Sequence, residues 1–155
     1  MWNRQTTREF DERKGDRNRA AFQALVAGDR PPGLLAYADG IPVGWVAVAP
    51  RWDYGRLQRS RVTKPVDDLD VWAVTCFVIA REARRRGVAG ALLDAAVEFA
   101  RANGALALEG YPVEPRSDDM PEIYAWMGLA SMFEDAGFEE IARRSETRPL
   151  MRKVL

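Results

Sequence analysis

The chain has 155 residues, enough for one domain spanning 1–155 that buries roughly two-thirds of the surface its unfolded chain would expose. Lys+Arg and Asp+Glu are both 23, and a net charge of zero argues against nucleic acid as the main partner, because nucleic-acid binders carry a basic excess. With no histidine, a Ser-His-Asp triad, a Cys-His dyad and a histidine-ligated metal are excluded, and acid–base work falls to carboxylates, tyrosine, lysine or held water.

In chain order, Met1-Trp2-Asn3-Arg4-Gln5 has no apolar signal core, and no later run approaches the roughly 18 apolar residues of a membrane span. Neither export nor a membrane partner is expected. Arg8 to Arg19 is densely charged and from about Asp16 becomes a helix pattern, with Ala20, Ala21, Ala24 and Leu25 on one side and Phe22 close by. Gly28 and Pro31-Pro32-Gly33 stop it. Leu34–Ala38 and Val43–Val48 read as two strands around Asp39-Gly40, a hairpin signal. Pro50 to Asp70 is a long charged loop with one helical turn. Its Arg51–Lys64 part is expected to border a substrate site, with Trp52 and Tyr54 covering an apolar group or the arginines drawing an acidic one. Val71 to Ile79 is the central strand, apolar on both faces. It holds the lone cysteine, Cys76, which predicts a reduced, cytoplasmic protein without disulfides and reads as a small buried hydrophobe rather than a nucleophile. Val88, Leu92, Ala95, Ala96 and Phe99 then recur at helical spacing, and Asn103-Gly104 closes that helix. Ala105–Gly110 is a short strand, about Pro121 to Ala136 a helix, and Phe138–Arg144 with Pro149–Val154 a closing pair of strands. The fold class is α/β, a mixed sheet with antiparallel and parallel pairs, flanked by helices.

The segment that points to chemistry joins the central strand to its helix: Arg84-Arg85-Arg86-Gly87-Val88-Ala89-Gly90. A glycine turn at a strand-to-helix junction lets backbone N–H groups converge at the positive end of the helix, which makes an anion cradle. Three arginines beside it point to a phosphorylated ligand. No Gly-x-x-x-x-Gly-Lys-[Ser/Thr] run occurs, so this is not a phosphate loop of the nucleotidase type.

With this element order around it, the loop resembles that of the GNAT superfamily of N-acetyltransferases, whose acyl-CoA signature [Gln/Arg]-x-x-Gly-x-[Gly/Ala] is matched by Arg84, Gly87 and Ala89. Met132-Phe133-Glu134-Asp135-Ala136-Gly137-Phe138 is similar to a second family segment, Leu-Tyr-x-x-x-Gly-Phe. The resemblance runs from about Leu34 onward. It implies an acetyl-CoA-dependent transferase that acetylates an amine, on a small molecule or a protein, by direct attack, with acetyl-CoA as co-substrate and no metal. The pyrophosphate would rest on the amides of Arg85, Arg86, Gly87, Val88, Ala89 and Gly90, the side chain of Arg84, Arg85 or Arg86 would add a charge-assisted contact to a phosphate, and the pantetheine arm would pair with Phe77 and Val78.

Two positions depart from the family. The tyrosine that protonates the leaving thiolate is here Phe133, and the asparagine seven residues before it is Trp126. Substitutes nearby in sequence are Tyr124, the first choice, with Ser131 and Tyr111. For the general base, Glu109 in its apolar strand leads, followed by Glu114 and by Asp67, Asp68 and Asp70. Only 33 residues precede Leu34, so either the family's first strand is expected to be missing or reduced to Trp2–Thr6, or the chain to begin downstream of a longer natural start. A catalytically impaired acyl-CoA-binding or interaction domain of the same fold is the alternative, and an incomplete sheet edge or exposed aromatics such as Trp2 would suit a homodimer.

Overall fold

A computed structural model describes residues 1–117 and 120–155. Two short helices, α1 (Thr7–Glu12) and α2 (Asp16–Val26), lead into the hairpin β1 (Gly33–Ala38) and β2 (Ile41–Pro50). The turn between them has Asp39 at φ 49° and Gly40 at φ 78°, the two positive values that a two-residue hairpin turn needs. After a single-turn helix α3 (Gly55–Arg59) come β3 (Trp72–Ile79), α4 (Val88–Ala102) and β4 (Ala107–Gly110). The chain closes with α5 (Ala130–Asp135), β5 (Glu139–Arg143) and β6 (Pro149–Val154).

One six-stranded sheet runs in the order β1-β2-β3-β4-β6-β5. Only β3 and β4 pair in parallel, through the crossover helix α4, and their ladder is short. It covers Trp72–Val74 against Leu108–Gly110, while β3 runs on to Ile79 along β2 alone. The two strands therefore part, leaving the second half of β3 with a free side. That divergence creates the space for the site.

The main core lies between the sheet and α4, whose Leu92, Leu93, Ala96, Val97 and Ala100 are buried. Each large apolar side chain buried there contributes about 1.5–3 kcal/mol. Gly44 on β2 lets the helix come close, since a Cβ there would stand 3.0 Å from both Val88 and Leu92.

Two elements differ from expectation. Trp2–Arg4 is a 3-10 turn, not a remnant strand. Asn3 donates to the Thr75 carbonyl at 3.3 Å and Arg56 donates to that of Trp2, which tucks the turn against β3, and Thr6 begins α1 through a capping box with Glu9. The helix expected over Pro121–Ala136 is two pieces, a 3-10 turn at Glu122–Ala125 and α5. Gly128 between them sits at φ 91°, outside helical space, and Leu129 bridges Val113 instead of continuing a helix.

Candidate functional site

The loop after β3 is built to leave donors free. A 3-10 turn at Arg81–Ala83 and an extended Arg84 lead to Arg85 at φ 58° and Gly87 at φ 77°, both left-handed. For a residue with a Cβ such as Arg85 that conformation costs about 1–2 kcal/mol. Gly87 caps α4 without a side-chain hydrogen bond, and the first turn of α4 holds no acidic residue. From Arg85 to Gly90, six consecutive amides find no acceptor among the described residues. Helix dipole and free donors together give a concentrated positive end.

This loop forms one wall of a cleft of about 890 Å³. Of the expected cofactor-binding residues, Phe77, Val78, Arg84, Arg85, Gly87, Val88, Ala89 and Gly90 line it, and only the exposed Arg86 does not. The opposite wall comes from Glu122–Trp126 and α5. Glu122 accepts from Arg84 and from Arg85, each at 3.0 Å. Those bonds, Arg85 first, hold its carboxyl below the usual range. The amide of Phe77, expected to meet a pantetheine arm, already donates to the Trp126 carbonyl at 2.7 Å. A chain segment thus crosses the opening between β3 and β4.

A second cavity, about 610 Å³, lies on the other side of β3 and meets the first at Val78 and Trp126. Its walls are aromatic: Trp2, Phe22, Trp45, Tyr54 and Trp126, with Phe22 edge-on to Trp45 at 5.8 Å. Tyr54 is buried and its hydroxyl has no hydrogen-bond partner among the described residues, Arg4 and Thr75 standing near without bonding geometry. Burial pushes that phenol up to about 12. Cys76 also lines this chamber, half-buried, its thiol pushed up by burial. That makes it a packing residue rather than a ready thiolate. Sequence reading had taken Tyr54 as a substrate cover, and Tyr54 does line the chamber, whereas Trp52 is exposed and lines neither cavity.

The three residues expected to be catalytic separate in space. Ser131, on the first turn of α5, lines the cofactor cleft. Tyr124 is exposed on the 3-10 turn and lines neither cavity, although its neighbours Ile123 and Ala125 line the cleft. Glu109 also lines neither. It is fully buried in β4, where Arg51 donates at 3.2 Å, Arg152 at 2.6 Å and the Tyr111 hydroxyl at 2.8 Å. Arg152 continues to Asp67, gripping both its oxygens at 2.7 and 2.9 Å. The carboxylate is committed to scaffold on all sides. Tyr111 is committed with it: burial, then the Glu109 charge, pushes its phenol well above the ordinary value. Asp68 and Asp70 are exposed, and Glu114 pairs with Arg143 at the surface. Phe133, at the family's acid position, is buried with its ring edge-on to Phe77 and Phe138.

Two features escaped the sequence. Glu122 gave no signal, since its partners lie far away in the chain. The aromatic chamber gave only a faint one, an outward Trp45 on β2 and a Phe22 beside the apolar face of α2.

Comparison with known proteins agrees with this architecture. Residues 1–124 match the profile of the acetyltransferase (GNAT) family. Among solved structures, ribosomal-protein-alanine N-acetyltransferase from Brucella melitensis superposes with a TM-score of 0.58 at 19% identity, over 89% of this chain and 77% of that one. PaiA N-acetyltransferase from Thermoplasma acidophilum, solved in complex with coenzyme A, gives 0.56 at 13%, over 99% and 84%. Aminoglycoside N-acetyltransferase AAC(6')-Iy, in complex with CoA, gives 0.53 at 20%, over 91% and 92%. At such identities the likeness is one of fold. No curated protein sequence matches the chain.

Proposed function

The chain belongs to the acetyltransferase (GNAT) family, and on that premise we propose that it is an acetyl-CoA-dependent N-acetyltransferase acting on an amine by direct attack. The observation that carries this reading is the run of six amides, Arg85 to Gly90, without an acceptor among the described residues, in a loop that lines a cleft sharing Val78 and Trp126 with a second cavity. Unpaired donors at a helix N-terminus fit the phosphates of acetyl-CoA, and Arg84 and Arg85 add charge-assisted contacts. When bound, acetyl-CoA supplies a thioester whose C–S bond breaks as the acceptor nitrogen forms the new amide bond. The protein's part is to align the two reactants across β3, since proximity and orientation lower such a barrier without a covalent enzyme intermediate. Ser131 would be the hydroxyl that stabilises the departing sulfur, a role supported by its being, of the three expected residues, the one that lines the cleft.

The alternative, an acyl-CoA-binding domain without turnover, draws on the absence of a hydroxyl at Phe133 and on the Trp126 carbonyl that occupies the Phe77 amide. Calorimetric titration with acetyl-CoA, against dephospho-CoA and ATP, followed by a thiol-release assay with an amine panel, separates the two. Selective micromolar binding with thiol release in the presence of an amine supports the transferase. Binding without release under any acceptor favours the alternative, and no binding removes both.

A further inference from the structure

We propose that the aromatic chamber selects a weakly basic aromatic amine, one that is already unprotonated at neutral pH, as the acetyl acceptor. This rests on the acetyl-transfer reading above and adds a substrate class to it. The chamber's volume of about 610 Å³ is that of a small-molecule pocket, and it shares Val78 and Trp126 with the cofactor cleft, so the two cavities adjoin at the end of β3.

Its charge pattern then narrows the occupant. Among the described lining residues the charges are the Arg4 guanidinium and the Met1 amino group, whose hold on its proton is weakened by burial and then by Arg4, and there is no carboxylate. Aromatic walls alone could draw an alkylammonium through their ring faces. Here one ring already carries a lining cation, the Arg4 guanidinium standing 4.7 Å over Tyr54. Arg4 is held there by Asp53 at 3.1 Å. A lysine side chain, a polyamine or an aminoglycoside would bring further positive charge beside Arg4 with no lining anion to receive it.

The same argument follows from proton chemistry. An alkylammonium must lose a proton before it can attack, and the buried carboxylate nearest the sheet's centre, Glu109, is bound by Arg51, Arg152 and Tyr111 outside the chamber. An arylamine needs no base to start. Its nitrogen lone pair attacks the thioester carbonyl carbon, the C–N bond forms and the C–S bond breaks. CoA departs as thiolate, and the proton left on nitrogen passes to that thiolate or to water. Flat rings in a chamber walled by Trp45, Trp126 and Phe22 stack or meet edge-on at little entropic cost.

The test uses the full chain with acetyl-CoA and three acceptors: 4-butylaniline, 4-phenylbutylamine and the polycation kanamycin. The expected result is a kcat/KM at pH 7 at least about tenfold higher for the aniline than for either other amine. From pH 6 to 9 the aniline profile should be flat, while that of phenylbutylamine climbs with the fraction of free amine. Trp45→Ala should raise KM for the aniline with the acetyl-CoA Kd unchanged, and Phe22→Leu repeats that readout where the first variant folds poorly. Preference for phenylbutylamine or kanamycin at pH 7, or an unmoved KM in both variants, overturns this inference and leaves acetyl transfer standing. Acetyl-CoA binding without transfer to any of the three overturns this inference, and only the wider amine panel decides the acetyl-transfer reading.

Discussion

The two cavities that flank the end of β3 are made of different materials. The cofactor cleft is shaped by backbone: left-handed residues at 85 and 87, an uncapped helix and amides left without partners. The chamber is shaped by side chains, rings brought together from the N-terminal turn, α2, β2 and the Glu122–Trp126 segment. A backbone site recognises a generic feature, phosphate, and tolerates changes in the side chains around it. A side-chain site is specific and is altered by single substitutions. An enzyme with a constant donor and a particular acceptor needs one of each.

The largest expected effect is one that strikes both cavities alike, through the scaffold they share. Glu109→Gln leaves Arg51 and Arg152 buried with a neutral partner and should cost about 3–5 kcal/mol of stability. Chemical denaturation reads that loss directly, and turnover per folded molecule should stay within about twofold of the parent, as an hydrogen-bonded neutral partner does not alter the reacting groups. A collapse of kcat with unchanged stability would instead make Glu109 the base. Next comes a change confined to the backbone site. Gly87→Val forces a β-branched residue into left-handed space and turns the loop amides away. Losing two charge-assisted hydrogen bonds, at about 1.5–3 kcal/mol each, predicts an acetyl-CoA Kd raised more than about 100-fold by calorimetry. A Cβ at 87 meets no neighbouring atom within 4 Å, so the loss of stability should be confined to the backbone strain, about 1–2 kcal/mol, and the melting temperature should fall less than in Glu109→Gln.

Smaller changes sharpen the contrast. Ser131→Ala should lower kcat by about threefold to tenfold, the worth of one ordinary hydrogen bond, while Tyr124→Phe should leave it unchanged. The reverse ranking in steady-state assays would mean that the exposed turn moves into the cleft during turnover. Glu122→Gln frees Arg84 and Arg85 for phosphate and should tighten acetyl-CoA binding by about threefold in low salt, with the gain fading as salt is added. The smallest effect is on pH. The hydrogen bonds from Arg152 hold the Asp67 carboxyl below its usual range, so its contribution is complete above the unfolded value of about 4 and is withdrawn as pH falls through the lowered folded value. Melting temperatures recorded from pH 5 down to 2.5 should fall less steeply in Asp67→Asn than in the parent.

The backbone site was legible in the sequence because it is local. Strand, basic turn, glycine and helix follow one another from Cys76 to Leu93, and the strand order around them follows from hairpin and crossover signals of the same short range. The chamber was not legible. Trp2, Phe22, Trp45 and Trp126 meet only after the sheet forms, and no spacing rule connects them. The long helix expected from Pro121 failed for a related reason: periodicity cannot see that the Trp126 carbonyl is needed by the Phe77 amide, or that Gly128 turns left-handed to allow it. Glu109 was placed correctly in a buried strand, but its role turned on Arg51 and Arg152, which lie far from it in sequence.

Phe133 has one more consequence, for how this sequence can drift. A Cβ on Gly110 would fall 2.0 Å from its ring and one on Gly128 2.7 Å. This ring thus forbids any side chain at two positions, one at the end of β4 and one just before α5. A descendant could gain alanine at position 110 only after position 133 had shrunk, so the three sites should change in a fixed order or stay together.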